Sequence, residues 1–223
     1  MQITHLGHAC LLVEVRGQRV LIDPGTFSDA AFDGLSDLTA VLITHQHADH
    51  CDLERVPGLL ADNPQAAVLA EPQTAEALTE AGLGACTERM APGETVRLGD
   101  GTVELTPVGE RHAHIHPYVP RVGNLGVVLR AEGEPVLYHP GDALDGEPGE
   151  VDLLGVPVNA PWGKVAEMIE FVRRVQPRRA VIPIHDALLS PTGRGMYLKH
   201  IGDFGADGGV QILDLQGRGA TRV

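Results

Sequence analysis

Short apolar runs separated by polar turns fill the first quarter of the chain. Gln2–Leu6, Ala9–Val15, Gln18–Ile22 and Ala40–Ile43 each read as a strand, with Arg16-Gly17-Gln18 as a tight turn between the second and third. Leu53–Ala61 has helical spacing and stops at Asn63-Pro64. Ala67–Ala70 reads as a strand, and Pro72–Ala81 as a helix with proline in its first turn and Gly82 past its end. Glu94–Leu98 and Val103–Val108 flank Gly99-Asp100-Gly101, a hairpin turn, and Val122–Ala131 and Pro135–Tyr138 repeat the pattern across Glu132-Gly133-Glu134. The remainder alternates: strand Val151–Val156, helix Trp162–Val175, strand Ala180–Ile184, a helix near Met196–Ile201, strand Val210–Leu213. Strands followed by helices in each half predict an α/β protein in which two mixed β-sheets lie between helix layers. No short-period repeat or low-complexity linker breaks the pattern, so residues 1–223 read as one domain.

The 43% hydrophobic content of 223 residues is enough for a substantial core. No stretch approaches the roughly 18 apolar residues of a membrane span. Met1-Gln2-Ile3-Thr4 lacks the basic and apolar segments of a secretory signal, so the expected compartment is the cytoplasm. Cys10, Cys51 and Cys86 are odd in number and unpatterned, which argues against a disulfide framework. With 17 basic and 30 acidic residues the formal charge is −13, which repels phosphate backbones and disfavours nucleic acid as a partner. Arg173-Arg174 and Arg178-Arg179 sit around a predicted helix end, where they complement the helix dipole rather than form a binding patch.

One stretch changes the picture. His45-Gln46-His47-Ala48-Asp49-His50 places four potential metal ligands within six residues, directly after the buried strand Ala40–Ile43. Imidazole is the commonest neutral ligand for zinc-like metals, and carboxylate adds anionic oxygen. If the chain stays extended past Thr44, His45 and His47 point to the same side. Further candidates lie downstream at His112, in Tyr138-His139-Pro140-Gly141-Asp142 and in Ile182-Pro183-Ile184-His185-Asp186, each beside a predicted strand end.

The motif His-x-His-x-Asp-His, with these later segments in order and Leu6-Gly7-His8-Ala9 and Leu21-Ile22-Asp23-Pro24 upstream, resembles the metallo-β-lactamase superfamily from about Gln2 to Leu213. The likeness leans towards the small stand-alone branch that includes sugar-phosphate lactonases. It implies a four-layer αβ/βα sandwich and two divalent ions, Zn2+ foremost, with Mn2+ or Fe2+ as alternatives. By that resemblance His45, His47 and His112 hold the first ion, Asp49, His50 and His185 the second, and Asp142 bridges them. His112, His114 and His116 alternate, so the third histidine of the first site has more than one candidate. His112 is chosen because Leu105–Arg111 occupies the strand that precedes the ligand in the resembling family, and His116 is the runner-up. Asp23 reads either as the carboxylate that holds a ligand imidazole by its other nitrogen or as an Asp-Pro turn starter. His8 and His139 read as core or supporting residues, and Cys51 as a small buried residue.

Two ions about 3.5–4 Å apart hold a water and lower its pKa towards neutrality, and the hydroxide attacks an ester, lactone or phosphoester. Asp49 would be the catalytic residue, a ligand that also orients this nucleophile. Small-molecule substrates, an anionic one included, are expected. Tyr118, Arg121, Asn124 and Trp162 are candidates for the mouth of the site. Two other readings use the same ligands: a mono-iron dioxygenase acting on a thiol or persulfide, and a metal-binding module without turnover. Di-iron flavin-partnered relatives place Glu where His47 stands, which sets them apart.

Overall fold

The computed structural model describes residues 1–223, the side chain of Ala85 excepted. In chain order the strands are β1 (Gln2–His5), β2 (Leu11–Val15), β3 (Gln18–Ile22), β4 (Ala40–Ile43), β5 (Ala67–Ala70), β6 (Thr87–Arg89), β7 (Val96–Leu98), β8 (Val103–Val108), β9 (Gly126–Ala131), β10 (Leu137–His139), β11 (Leu153–Pro157), β12 (Ala180–Ile184) and β13 (Thr221–Arg222). The α-helices are α1 (Val56–Asp62), α2 (Pro72–Glu80), α3 (Val165–Val175) and α4 (Pro191–Phe204). One seven-stranded sheet has the order β13-β1-β2-β3-β4-β5-β6, and a six-stranded sheet has the order β12-β11-β10-β9-β8-β7.

Both sheets are mixed. β1, β2 and β3 run antiparallel, then β3 to β6 run parallel. In the second sheet β7 to β10 are antiparallel and β10 to β12 parallel. The period-two alternation of strand side chains explains the layering. Ala40 and Leu42 face a core shared with Val127, Leu129 and Ile182 of the other sheet. Val41 and Ile43 face the opposite way, onto Val56 and Leu59 of α1 and Leu78 of α2. On the far side Leu154 and Val156 pack under Met168 and Phe171 of α3 and Ile201 of α4. Three apolar cores between four layers follow, and the expected two-sheet α/β architecture is what the chain adopts. Among the described residues no helix is long and apolar enough to cross a membrane.

Several boundaries differ from expectation, and the differences matter at one edge. β2 begins at Leu11 rather than Ala9, because Cys10 N–H bonds Gly7 O at 2.9 Å and turns the chain. α1 begins at Val56, since the Asp52 carboxylate takes the Glu54 and Arg55 N–H groups at 3.0 and 3.1 Å and holds a turn there. α3 begins at Val165, its start fixed by Glu167, whose side chain accepts from Lys164 N at 2.8 Å. That leaves Trp162 in a loop. Val210–Leu213 is not a strand; it forms only a bridge from Ile212 to Val181.

Candidate metal centre

The strands that deliver the candidate ligands run the same way within each sheet. β1, β3 and β4 share one direction, as do β8, β10 and β12. Their C-terminal ends release His8, Asp23, the His45–His50 loop, His112, Asp142 and His185 onto one edge. The chain does not stay extended past Thr44. The Asp23 carboxylate takes Thr44 N–H at 2.8 Å, which ends the β4 ladder, and His50 N–H then bonds His47 O at 2.9 Å. His45 and His47 meet through this turn, with ring centroids 4.8 Å apart. Gly25 makes the turn possible: a Cβ there would lie 1.9 Å from Asp49 O.

Three groups of donors, each with its ligand atoms within 4.8 Å of one another, could hold a cation: His45, His47 and His112; His45, His50 and Asp142; and His8, Asp49, His50 and His185. The structure therefore brings together all seven predicted ligand residues. His112 is buried in the cluster, whereas His114 and His116 are exposed, and His116 Nδ1 accepts from Tyr118 N at 3.3 Å.

Hydrogen bonds on the outer nitrogens orient the rings. His50 Nδ1 donates to Asp23 Oδ2 at 2.7 Å, His112 Nδ1 to Ala113 O at 2.7 Å, and His185 Nδ1 to Asn159 O at 2.6 Å. Thr44 Oγ1 donates to Asp23 Oδ2 at 2.8 Å, so its lone pair accepts from His45 Nδ1 at 3.1 Å. In the neutral form that binds a cation, an imidazole has one N–H, which these bonds place on Nδ1, so each of these rings then presents its Nε2 lone pair inward. Those four Nε2 atoms and Asp142 Oδ1 are buried without a hydrogen-bond partner. Asp142 lies 3.2 Å from His50 Nε2, 3.3 Å from His112 Nε2 and 3.1 Å from His185 Nε2, close enough to attract but not aligned as hydrogen bonds.

The electrostatics describe a site that wants positive charge. Burial opposes a charged His185, but Asp142 and Asp49 overcome it and raise the imidazole to about 9. His50 is likewise raised by Asp142 and Asp23 against its burial. Asp142 and Asp49 are both depressed despite burial, Asp142 chiefly by His50 and His185, Asp49 chiefly by its bonds to His185 and His8. His45, with no carboxylate bonded to its ring, is driven down by burial.

Asp23 takes the supporting role. It is fully buried and grips Thr44 and His50. Trp162 donates from Nε1 to Asp142 Oδ2 at 3.1 Å. Asn124 lines no mouth; its Oδ1 accepts from Asp142 N and its Nδ2 donates to Pro140 O, both at 2.9 Å. Arg121 Nε donates to His112 O at 2.5 Å, while Tyr118 is 91% exposed. His139 is a strap, donating from Nε2 to Ala9 O at 2.9 Å across the two sheets. Cys51 packs into the apolar core under α1, where burial pushes its thiol up to about 12. Sequence reasoning undervalued His8, whose Nε2 sits 3.2 Å from Asp49 Oδ2. The Gly7-His8 pair, a turn signal directly after β1, was the available clue.

Two mixed sheets with a histidine and carboxylate cluster on one edge define the metallo-β-lactamase class of fold. Residues 2–185 match the Beta-lactamase superfamily domain, and the chain belongs to that family. It is 46% identical to protein Rv0786c of Mycobacterium tuberculosis over 88% of this chain and 89% of that one. It is 30% identical to a UPF0173 metal-dependent hydrolase of Azorhizobium caulinodans, over 83% and 85% of the two chains. Among solved structures it resembles Igni18, a metallo hydrolase from Ignicoccus hospitalis, with a TM-score of 0.72 at 19% identity, covering 96% of this chain and 94% of that one.

Proposed function

We propose that this chain is a cytoplasmic hydrolase of small ester, lactone or phosphoester substrates that works with two divalent ions. Zn2+ is the first choice, with Mn2+ or Fe2+ as alternatives. His45, His47 and His112 would hold one ion, Asp49, His50 and His185 the other, and Asp142 would lie between them. The observation that carries the reading is the set of inward ligand atoms: four Nε2 atoms and one carboxylate oxygen, buried and unpartnered. A buried polar atom without a partner costs about 1–3 kcal/mol, so five together on one edge call for a cation. Seven donors exceed the coordination of one tetrahedral ion.

Bound there, divalent ions bring water near neutrality in pKa and polarise the oxygen of a scissile bond. The chain's own contribution is orientation. Asp49, its side chain 23% exposed, is the carboxylate at the mouth and is suited to align the attacking water. Trp162 holds Asp142 in place. Beside it a cavity of about 560 Å³ is lined by Ala113, His114, Arg121, Leu144, Trp162 and Phe171. Apolar side chains share this lining with Arg121 and Arg174 and with the carboxylates of Asp145, Glu167 and Glu170, a mixed wall that suits a small ester or lactone better than a large polyanion. The net charge of −13 also argues against nucleic acid.

The test combines elemental analysis with a screen of lactones, phosphodiesters and thioesters. Asp49→Asn should abolish turnover of any substrate found, even where metal remains bound. Full activity in Asp49→Asn, or activity in metal-free protein, refutes the mechanism. A single iron with oxygen consumption on a thiol or persulfide replaces it with the dioxygenase reading.

A further inference from the structure

We infer that His8 is a positioning residue for Asp49: a ring N–H donor fixed beside the second group of ligands that is not itself a ligand. The inference rests on the two-ion reading above. By distance alone His8 counts among the donors, since its ligand atom lies within 4.8 Å of those of Asp49, His50 and His185. The hydrogen bonds remove it from that set. His8 Nδ1 accepts from the Ala187 N–H at 3.3 Å. A backbone amide can only donate, so the Nδ1 lone pair is occupied and the ring proton sits on Nε2. Nε2 therefore faces Asp49 Oδ2, 3.2 Å away, as a donor and has no lone pair to offer a cation. His45, His50, His112 and His185 are wired the opposite way, with Nδ1 donating to oxygen and Nε2 bare.

The backbone supports an active placement. His8 stands at φ +52°, in the left-handed region that costs a non-glycine residue energy, and such strain persists where the surroundings hold it. Its carbonyl accepts from His185 N at 2.9 Å, and its ring lies 4.0 Å from the His185 ring. His8 thus ties the Asp49 loop of one sheet to the His185 loop of the other. With Oδ2 held by the ring N–H, the Asp49 carboxylate has a fixed plane, and its direction at the mouth is set before any ligand arrives.

Two variants separate the roles. His8→Asn tolerates the left-handed backbone, and its Oδ1 keeps an acceptor for the Ala187 N–H, but the side chain is too short to reach Asp49. His8→Gln restores an amide N–H where Nε2 stood. The probe is Co2+ alone, added to metal-free protein, with stoichiometry, competition affinity and visible absorption as readouts. Both variants should bind as many Co2+ ions per chain as wild type. His8→Asn should weaken one of them about 10–100-fold and alter its absorption, and His8→Gln should recover most of the loss. Loss of one Co2+ in both variants makes His8 a ligand and overturns the inference. Wild-type affinity and spectrum in His8→Asn make it inert packing and overturn it too. Wild-type protein that binds fewer than two Co2+ overturns the two-ion reading, and the inference with it.

Discussion

Replacing Asp23 by Asn tests whether the site depends on the direction of a single proton. The carboxylate accepts three hydrogen bonds: from Thr44 N at 2.8 Å, Thr44 Oγ1 at 2.8 Å and His50 Nδ1 at 2.7 Å. An asparagine keeps one oxygen. If that oxygen stays on Thr44 N–H, the new NH2 faces His50 Nδ1. His50 must then accept, its proton moves to Nε2, and the lone pair directed at Asp142 is lost. The reverse orientation sets NH2 against the Thr44 amide, a donor that cannot change. Either way the charge-assisted bond from His50, about 1.5–3 kcal/mol, is lost, and in the reverse orientation the Thr44 amide is also left without an acceptor. Metal-free Asp23→Asn should lose about 3 kcal/mol, or roughly 6–12 °C in Tm for a chain of this size. Metal affinity should fall about 10–100-fold. Trp162 is the one tryptophan, with its ring centroid 5.7 Å from that of His112, so quenching by Co2+ reports binding directly. An Asp23→Asn protein that melts and binds like wild type would show that the imidazole direction is set by something other than Asp23.

Two other outcomes follow from the same geometry. Gly25→Ala places a methyl against the Asp49 carbonyl, where the contact would be 1.9 Å, so the metal loop must shift; we expect a loss of about 2–4 kcal/mol in urea melts together with weakened metal binding, and wild-type values for both would contradict the packing. The metal-free protein should also be most stable near pH 6.5. His185 is raised to about 9 from its ordinary 6.5, so its contribution is complete below 6.5 and is lost as pH rises through about 9, while burial holds His45 and His139 below 6.5, so theirs is lost as pH falls under that value. Urea midpoints from pH 5 to 9.5 test this, and a midpoint that climbs steadily through pH 9 would refute it.

The elements legible in the sequence are those in which one local signal is enough. Gln18–Ile22, Ala40–Ile43, Ala67–Ala70, Val103–Val108 and Ala180–Ile184 are strands with the expected bounds, each an apolar run cut off by turn residues. β6 and β13 carried no such signal, since Thr87–Arg89 and Thr221–Arg222 are polar and become strands only by pairing at a sheet edge. α4 runs to fourteen residues where a few were expected, because Ile201 is its one buried residue and its apolar periodicity is weak. Its start was marked by Ser190-Pro191, a cap and a first-turn proline; the Ser190 side chain accepts from Gly193 N at 3.1 Å. At the site, the residue types and their order were readable, and the His45–His50 motif pointed to the right edge of the fold. Trp162 was misplaced onto a helix because the Lys164–Glu167 capping contact, which frees it for Asp142, lies between two polar residues in no characteristic pattern.

What no sequence displays is which nitrogen of a histidine faces inward, and in this chain that distinction sorts the buried rings. His45, His50, His112 and His185 each give their Nδ1 proton to an oxygen and aim a lone pair at the cluster. His5, His8 and His139 have Nδ1 taken by the N–H of Gly7, Ala187 and Gly141, at 3.2, 3.3 and 3.2 Å. Their Nε2 atoms are donors: His139 spends its proton on Ala9 O and His8 faces Asp49. His5 shows why burial alone is a poor guide, for its Nε2 is as buried and unpartnered as those of the ligand set yet carries a proton. The oxygens that orient the first group come from strand ends and loops far apart in the chain: Thr44 and Asp23 beside β3 and β4, Ala113 beyond β8, Asn159 beyond β11. Metal-binding character at this edge is therefore a property of the tertiary fold. It arises when the C-terminal ends of two sheets bring backbone carbonyls and one buried carboxylate behind the rings, so that each inward lone pair is fixed before a cation meets it.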